Sequence, residues 1–424
     1  MVVPDQSSKS RRWSFWRVCR GAFRGLRILC LLLVLAVVCA FLWFNQIGVP
    51  DFVKRPVLAG LQARGLHLEF QRLRWQWFRG LVAEQISVAA VGSGPRVAAA
   101  EAEVQLDPAA LREFRFVVSG VALREGGLDW TVVPTNLPPR TLTITNLSTS
   151  LQFLRGDVWE LPQLNATVEG IQVKVSAVLT NASLLRHRSA KPSTPPDPTA
   201  PPKPGPDLLL HQVLTELSRL QYVGQPELEL TVRADARPGG GLQADLKVTV
   251  PGVQTPWGGG WNVSLSARAT QPPGTNGAVT ADLRLETAGL FSTNFQAKAE
   301  RVTLAVRLNR FSARTNDWNA TLNATLNTAR TKWAEAATFR LSGQTAPRLL
   351  APDELQTSLT LHATALKSEW VQLADARLDG RATFSSARKI LLAADAETQL
   401  TAPKTRWGEA TKLWMSAKAK RTES

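Results

Sequence analysis

Residues 331–343 (TKWAEAATFRLSG) and 368–380 (SEWVQLADARLDG) are two copies of the phrase that decides the fold. Residues 255–269 (TPWGGGWNVSLSARA) and 405–419 (TRWGEATKLWMSAKA) open in the same way, and residues 293–308 (TNFQAKAERVTLAVRL) are a looser copy. Each copy is marked by an aromatic residue, and successive markers are 37 or 38 residues apart: Trp257, Phe295, Trp333, Trp370 and Trp407. This regular period indicates a repeat architecture with one supersecondary unit per copy.

Each unit contains two segments in which apolar and polar residues alternate. In one of them Leu359 and Leu361 are separated by a single polar residue. Strict alternation also assigns Ala337, Ala365 and Ala374 to the apolar faces of their segments. A period of two predicts strands with one dry and one wet face. Two strands per unit predict a hairpin, and stacked hairpins predict an antiparallel meander.

The predicted fold is mainly β. It has one N-terminal transmembrane helix, followed by an elongated antiparallel β-sheet that is curled into a groove and built from hairpin repeats, with a few short helices. Five units give ten strands, which span about 45 Å at about 4.8 Å per strand. A two-sheet sandwich that covers the dry face is the alternative. The predicted lining of a lipid groove is Trp257, Trp261, Leu265, Leu283, Leu322, Trp333, Phe339, Leu341, Leu361, Trp370, Leu378, Leu392 and Trp407.

The N-terminal region has the pattern of a membrane anchor. Residues 1–27 contain seven Lys or Arg and one acidic residue, and an uncharged apolar run follows from Ile28 to Phe44. The flanks extend this run to residues 28–47, close to the ~20 residues that cross a bilayer core. The basic flank predicts a cytoplasmic N-terminus, with the bulk of the chain on the other side. A cleaved signal peptide is the alternative interpretation.

The rest of the chain divides by composition. Residues 50–189 combine a short starting helix at 50–64 with strand-like segments. Residues 190–206 hold eight Pro in 17 positions and predict an exposed linker or loop. Residues 207–222 predict an amphipathic helix, and residues 223–424 carry the hairpin repeats.

The composition argues against several classes of protein. All three Cys (Cys19, Cys30 and Cys39) lie near the N-terminus, and the chain has four His. Disulfides, Cys-ligated zinc and thiol chemistry are therefore not expected in the rest of the chain. The sequence also lacks the hydrolase, P-loop, metalloprotease and dinucleotide motifs. We expect no enzyme, no metal and no cofactor. The net charge of +16 is dispersed, which favours anionic lipid headgroups over nucleic acid.

The first third of the chain carries a set of motifs in a fixed order. They are the anchor and short helix, LEFQRLRWQWFRGLVAEQISV at 68–88 with its Arg79-Gly80 turn, the Ala-rich strand in RVAAAEAEVQLDPAALREFRF at 96–116, and VSGVALREGGLDW at 118–130. Over residues 28–135 this order resembles the AsmA-like family, which includes TamB-like and YhdP-like proteins.

The resemblance implies an envelope protein of diderm bacteria with a repeating β-groove that conducts phospholipids or supports outer-membrane assembly. It further implies a single-pass anchor in the bacterial inner membrane, an N-terminus in the cytoplasm and the bulk of the chain in the periplasm. Expected partners are phospholipid or another envelope lipid, the inner membrane, and outer-membrane or envelope proteins at the C-terminal edge strand. A scaffold or assembly adaptor that binds no lipid is the alternative function.

Overall fold

The computed structural model describes residues 23–39, 66–76, 79–90, 95–113, 115, 117–132, 138–188, 206–275, 277–294, 296–311, 318–348, 351–385 and 390–420. Several sequence predictions lie outside these residues. They are most of the basic tail, the helix at 50–64, most of the Pro-rich segment and the aromatic marker Phe295.

Four helices occur among the described residues. Helix α1 covers residues 23–39, and all of its residues are exposed. The others are α2 (Pro108–Arg112), α3 (Ser183–Arg188) and α4 (Pro206–Leu217). Helix α4 is shorter than predicted, because residues 221–223 leave the helix and pair as a strand.

Within the described ranges, no helix combines the length and apolarity that crossing a membrane requires.

The described strands number 22 and belong to a single sheet. The first half contains β1 (Leu66–Glu69), β2 (Arg72–Gln76), β3 (Gly80–Ala90), β4 (Arg96–Leu106), β5 (Val118–Val132), β6 (Arg140–Leu154), β7 (Val158–Val168) and β8 (Ile171–Thr180). The second half contains β9 (Gln221–Val223), β10 (Glu227–Asp235), β11 (Leu242–Thr255), β12 (Gly258–Gln271), β13 (Val279–Ser292), β14 (Ala297–Arg310), β15 (Trp318–Arg330), β16 (Ala334–Arg348), β17 (Ala351–Ser368), β18 (Val371–Ser385), β19 (Ile390–Thr401), β20 (Lys404–Thr405), β21 (Gly408–Glu409) and β22 (Lys412–Lys420).

The strands follow chain order across the sheet. From β3 to β8 and from β10 to β19, each strand pairs antiparallel with the next, and β22 pairs with β19. The two halves join where β10 lies parallel to β8, with Glu227 opposite Gln172. The sheet is long, curled and unclosed. The predicted mainly β, groove-like meander of hairpins with few helices is therefore confirmed.

A line of left-handed residues crosses the second half of the sheet. Five residues have φ between 47° and 51° although none is glycine: Asn262, Arg301, Thr328, Ala365 and Ala402. The strand registers place Ala365 opposite Ala337 and Ala374, and Ala374 opposite Ala402. We call this line the kink row. Its residues lie at the same height on β12, β14, β15 and β17 and just after β19, so the sheet bends along a line that runs across its strands.

The bend determines which face is concave. Kink-row residues such as Asn262, Arg301 and Ala365 are exposed. Buried side chains flank the kink row on the opposite face: Val250, Thr287, Ala299, Val302, Ala336, Ala363 and Leu373. The apolar face therefore lies on the inside of this bend, and we call it the concave face. Farther from the kink row, the opposite charged face borders a depression of its own of about 720 Å³, lined by residues such as Asp245, Arg268 and Asp282. Ala337, Ala365 and Ala374, which strict alternation assigned to this face, are exposed on the outer side. Ala365 is itself left-handed, which shifts the alternation by one position, and Ala337 and Ala374 lie opposite it.

Substitutions at Ala365 should reveal the strain of the kink row. We expect Ala365→Gly to raise the free energy of unfolding by up to about 1 kcal/mol. A left-handed conformation costs a residue with a Cβ atom about 1–2 kcal/mol, and the greater unfolded-state freedom of glycine offsets part of this gain. Ala365→Val should lower stability, because β-branched residues tolerate positive φ poorly. Urea unfolding followed by circular dichroism measures both changes.

The control for this prediction is Ala363→Gly, two residues away on the concave face, where φ is not in the left-handed region. There the glycine should be destabilising by about 0.5–1 kcal/mol. If both glycine variants shift the urea midpoint in the same direction, the strain argument is wrong.

A charged cluster fixes the first hairpin of the sheet. Glu103 is 3% exposed and accepts hydrogen bonds from Arg79 Nε at 2.9 Å and Nη2 at 2.8 Å, and from Gln105 Nε2 at 3.0 Å. Glu101 accepts a further bond from Arg79. Next to Arg79, Gly80 has φ 89°, and a Cβ atom there would lie 2.3 Å from the carbonyl oxygen of Val104. At the Arg79-Gly80 turn, the backbone of β3 therefore lies very close to the backbone of β4.

Candidate functional site: the concave apolar face

Cross-strand pairing aligns apolar residues into rows on the concave face. In the first row, consecutive partners on β11 to β18 are Val248, Leu265, Leu285, Leu304, Ala324, Leu341, Leu361 and Leu378. In the second row they are Leu246, Ala267, Leu283, Val306, Leu322, Gly343, Leu359 and Gly380. Each row crosses eight strands, which corresponds to about 34 Å at about 4.8 Å per strand.

The same face continues into the first half of the sheet. Leu228 and Leu230 on β10 stand opposite Val248 and Leu246 on one side, and opposite Val173 and Val175 of β8 on the other. The register then continues from Val175 to Leu164 on β7. The parallel pairing at the junction therefore preserves an uninterrupted apolar face.

Seven of the predicted lining residues lie on this face. Leu265, Leu341, Leu361 and Leu378 belong to the first row and Leu283 and Leu322 to the second, while Phe339 stands one step nearer the kink row, opposite Leu326 and Ala363. Leu392 is half-buried on β19, beside an irregularity in the pairing of β18 with β19.

The other predicted lining residues lie outside the two rows. Trp257, Trp333, Trp370 and Trp407 are in hairpin turns rather than in strands, and they are 55%, 55%, 56% and 84% exposed. Trp261 lies on the outer face. Its ring stacks on Phe291, with centroids 6.3 Å apart, and covers Gly289, where a Cβ atom would meet the ring at 2.1 Å. The left-handed conformation of Asn262 shifts the alternation of β12, so Trp261 is on the outer face although Val263 and Leu265 are on the concave face.

No second layer covers the concave face within the described residues. All the described strands belong to one sheet, and α4 packs against β5 and β6. There Leu214 is buried, His211 Nε2 lies 3.2 Å from the carbonyl oxygen of Pro138, and Arg140 donates to Ser218 Oγ at 3.0 Å. Residues of the apolar rows remain half-buried, and Leu283 is 37% exposed. The part of the chain that the structure describes places neither the second sheet of a sandwich nor a plugging helix over the rows.

The concave face deepens into a cavity of about 600 Å³ at the end nearest the tryptophan turns. Its wall is almost wholly apolar and includes Val263, Leu290, Ala299, Leu326, Phe339 and the edge of Trp257. Gly260 opens the floor, since a Cβ atom there would come within 2.8 Å of Leu290. A cavity of this volume and apolar lining is of the size that holds small ligands or part of a longer chain.

The outer face carries charges in alternating order. Asp245, Arg268, Asp282 and Arg307 stand directly opposite one another on four neighbouring strands, β11 to β14. Arg268 pairs with Asp245, and Arg307 Nε lies 2.5 Å from Asp282. The hydrogen bond from Arg268 is the main reason why the pKa of Asp245 is lowered. These pairs favour one register, because a slip of one residue would bring carboxylates onto the apolar face.

The two rows form an extended hydrophobic surface. Among the described residues, no cluster of His, Cys, Asp and Glu could hold a metal ion. Sequence reasoning missed the residues that flank the kink row, such as Leu366 and Leu373, which pair with each other. The signal was present, because Ala363 and Leu366 are three residues apart where strict alternation requires two.

Comparison with known proteins adds no assignment: no protein-family model, no curated protein and no solved structure matches this chain.

Proposed function

We propose that this protein binds lipid acyl chains on its concave face and supports phospholipid transport or outer-membrane biogenesis. The observation that carries the proposal is the pair of uncovered apolar rows that cross eight strands without a break. A folded sheet normally buries such a face against another layer. Here an acyl chain would supply the missing contact.

Burial of an acyl chain provides enough free energy for stable binding. Each buried methylene contributes about 0.8 kcal/mol, so a chain of about 16 carbons gains roughly 12 kcal/mol as an upper bound. The two rows repeat similar residues from strand to strand, so neighbouring positions offer similar affinity. Similar affinities along the sheet would let a lipid move from one unit to the next.

The proposed location is the bacterial inner membrane, with the N-terminus in the cytoplasm and the sheet in the periplasm. Helix α1 supports an anchor, since Leu29, Leu33 and Val37 are 61%, 63% and 60% exposed. The uncharged sequence continues past the helix to Phe44. Seven basic residues precede the apolar run and favour retention of the N-terminus in the cytoplasm.

An envelope partner could pair with β22. Every residue of this strand is exposed, and β19 occupies only one of its two edges. Leu413 and Met415 continue the apolar face, since they stand opposite Leu400 and Thr398. A strand added to β22 would therefore extend the groove as well as the sheet.

Native mass spectrometry of the full chain tests the proposal. We expect phospholipid to co-purify after the detergent has been exchanged for amphipol, and to survive dissociation of the amphipol shell as discrete mass increments. Photo-crosslinking from Leu341 and Leu361, but not from the outward Ser342, should capture acyl chains. A folded chain that carries no lipid and gives no crosslink from either leucine would favour the scaffold function.

A further inference from the structure

The hairpin turns at one end of the repeat strands share a local structure that exposes tryptophan. In the turn at 331–334, Thr331 Oγ1 accepts hydrogen bonds from the backbone N–H of Trp333 at 3.3 Å and of Ala334 at 3.0 Å. Ser368 does the same for Trp370 and Val371. Thr255 and Thr405 accept from the backbone N–H of Trp257 and Trp407. The Thr/Ser-Xaa-Trp repeat of the sequence is therefore a turn motif that fixes the Trp backbone and leaves the indole in solvent.

These turns form one rim of the sheet, which we call the tryptophan rim (Trp257, Trp333, Trp370 and Trp407). Successive turns at 333, 370 and 407 are two strands apart, or about 10 Å. The segments that connect strands at the opposite edge, 272–278, 311–317, 349–350 and 386–389, contain no Trp. Tryptophan in the connecting segments is thus confined to one end of the strands, and this end borders the apolar cavity through Trp257.

Basic residues accompany the tryptophans. The segments 329–336, 366–373 and 404–412 contain six Lys or Arg and three Glu, an excess of three positive charges. Two of the Glu are in ion pairs within the rim, Glu335 with Arg330 at 2.8 Å and Glu409 with Lys404 at 3.1 Å. The basic excess remains next to the exposed indoles.

We propose that the tryptophan rim docks on the surface of an anionic bilayer. Indole has an apolar body and one N–H donor, so it is stable at the depth of the lipid headgroups. Neighbouring Lys and Arg are attracted to anionic headgroups. A protein partner would be expected to bury a tryptophan in a shaped pocket. Similar tryptophan turns repeated at one end of the strands instead match the extended surface of a bilayer. Docking would bring the mouth of the apolar cavity to the membrane, where a lipid could enter it. Entry of lipid rests on the proposed function, whereas docking itself does not.

The test uses the full chain held in a phosphatidylcholine nanodisc, so that α1 is already occupied by lipid. Vesicles of phosphatidylglycerol and phosphatidylcholine in equal parts are then added, and the bound fraction is measured by co-sedimentation. We expect the wild type to bind these vesicles and to bind pure phosphatidylcholine vesicles far less. The triple variant Trp333→Ser, Trp370→Ser, Trp407→Ser should lower binding on the order of tenfold, since it removes the interfacial anchors.

Two matched variants complete the test. Phe311→Ser removes an aromatic residue that is 56% exposed at the opposite edge, and it should bind like the wild type. Replacement of Lys332, Lys367 and Arg406 by Glu should abolish the preference for phosphatidylglycerol. Circular dichroism verifies folding of each variant. The proposal is overturned if wild type does not bind, if the triple variant binds as well as wild type, or if binding does not depend on phosphatidylglycerol. Lipid retained by the folded triple variant in native mass spectrometry separates a failure of docking from a failure of the groove.

Discussion

Leu361→Asp should remove most of the phospholipid that co-purifies with the full chain, by at least about tenfold, while the protein stays folded. Leu361 is the seventh of the eight residues of the first apolar row and lies between Leu341 and Leu378. A carboxylate at this position interrupts the apolar path on both sides. An acyl chain that crosses it must leave several methylenes in contact with water or a charge, and each methylene left unburied loses about 0.8 kcal/mol.

The folded state should tolerate this change because the concave face is open. Leu361 is half-buried, so the introduced carboxylate can remain hydrated at the groove surface. A closed core would instead enclose the charge, and the protein would be lost to unfolding. Retention of the circular dichroism spectrum together with loss of lipid is thus the expected combination. Leu392→Asp, near the far end of the repeats, should give the same result.

Ser358→Asp is the matched control. Ser358 is on the same strand, is exposed on the outer face and stands opposite Arg381. It receives the same charge, but the charge faces solvent and a basic neighbour. Lipid content should therefore match that of the wild type. An equal loss of lipid in Ser358→Asp and Leu361→Asp would show that the charge acts without regard to the face, and it would refute the groove path.

The hairpin meander could be predicted from sequence because its signal is local. The 37-residue period and the alternation in segments such as 357–363 depend only on neighbouring residues, and both are confirmed by the register of β15 to β19. The apolar rows follow from that alternation. The alternation alone therefore assigns leucines in mid-strand, such as Leu341 and Leu361, to the correct face.

The kink row and the tryptophan rim were not predicted, for two different reasons. Residues such as Thr328 and Ala365 have no intrinsic preference for positive φ, so only the pairing of neighbouring strands holds them there. Trp333 and Trp370 begin the apolar phrase, which suggested that they share its face. In the structure the preceding Thr or Ser closes a turn, and the strand starts one residue after the Trp. A polar residue two positions before each Trp was the available signal.

Gly80→Ala should lower the free energy of unfolding by about 3 kcal/mol, more than any other Gly→Ala substitution in the first half of the sheet. Positive φ costs alanine about 1–2 kcal/mol. The new Cβ atom would also lie 2.3 Å from the carbonyl oxygen of Val104, which β4 cannot relieve without moving its backbone. Overpacking of this kind adds typically 1–3 kcal/mol. The displacement would also pull Arg79 away from the buried Glu103.

Gly156→Ala separates the two contributions. Gly156 has nearly the same φ, 85° against 89°, but no atom lies within 4 Å of the position of its Cβ atom. The free energy of unfolding of this variant should fall only by the cost of positive φ, about 1–2 kcal/mol. The difference between the two urea midpoints then measures the contact between β3 and β4. Equal destabilisation would mean that the Arg79-Gly80 turn requires glycine for its backbone conformation alone. A larger loss in Gly80→Ala would show that the turn requires glycine also because β3 approaches the backbone of β4 so closely there.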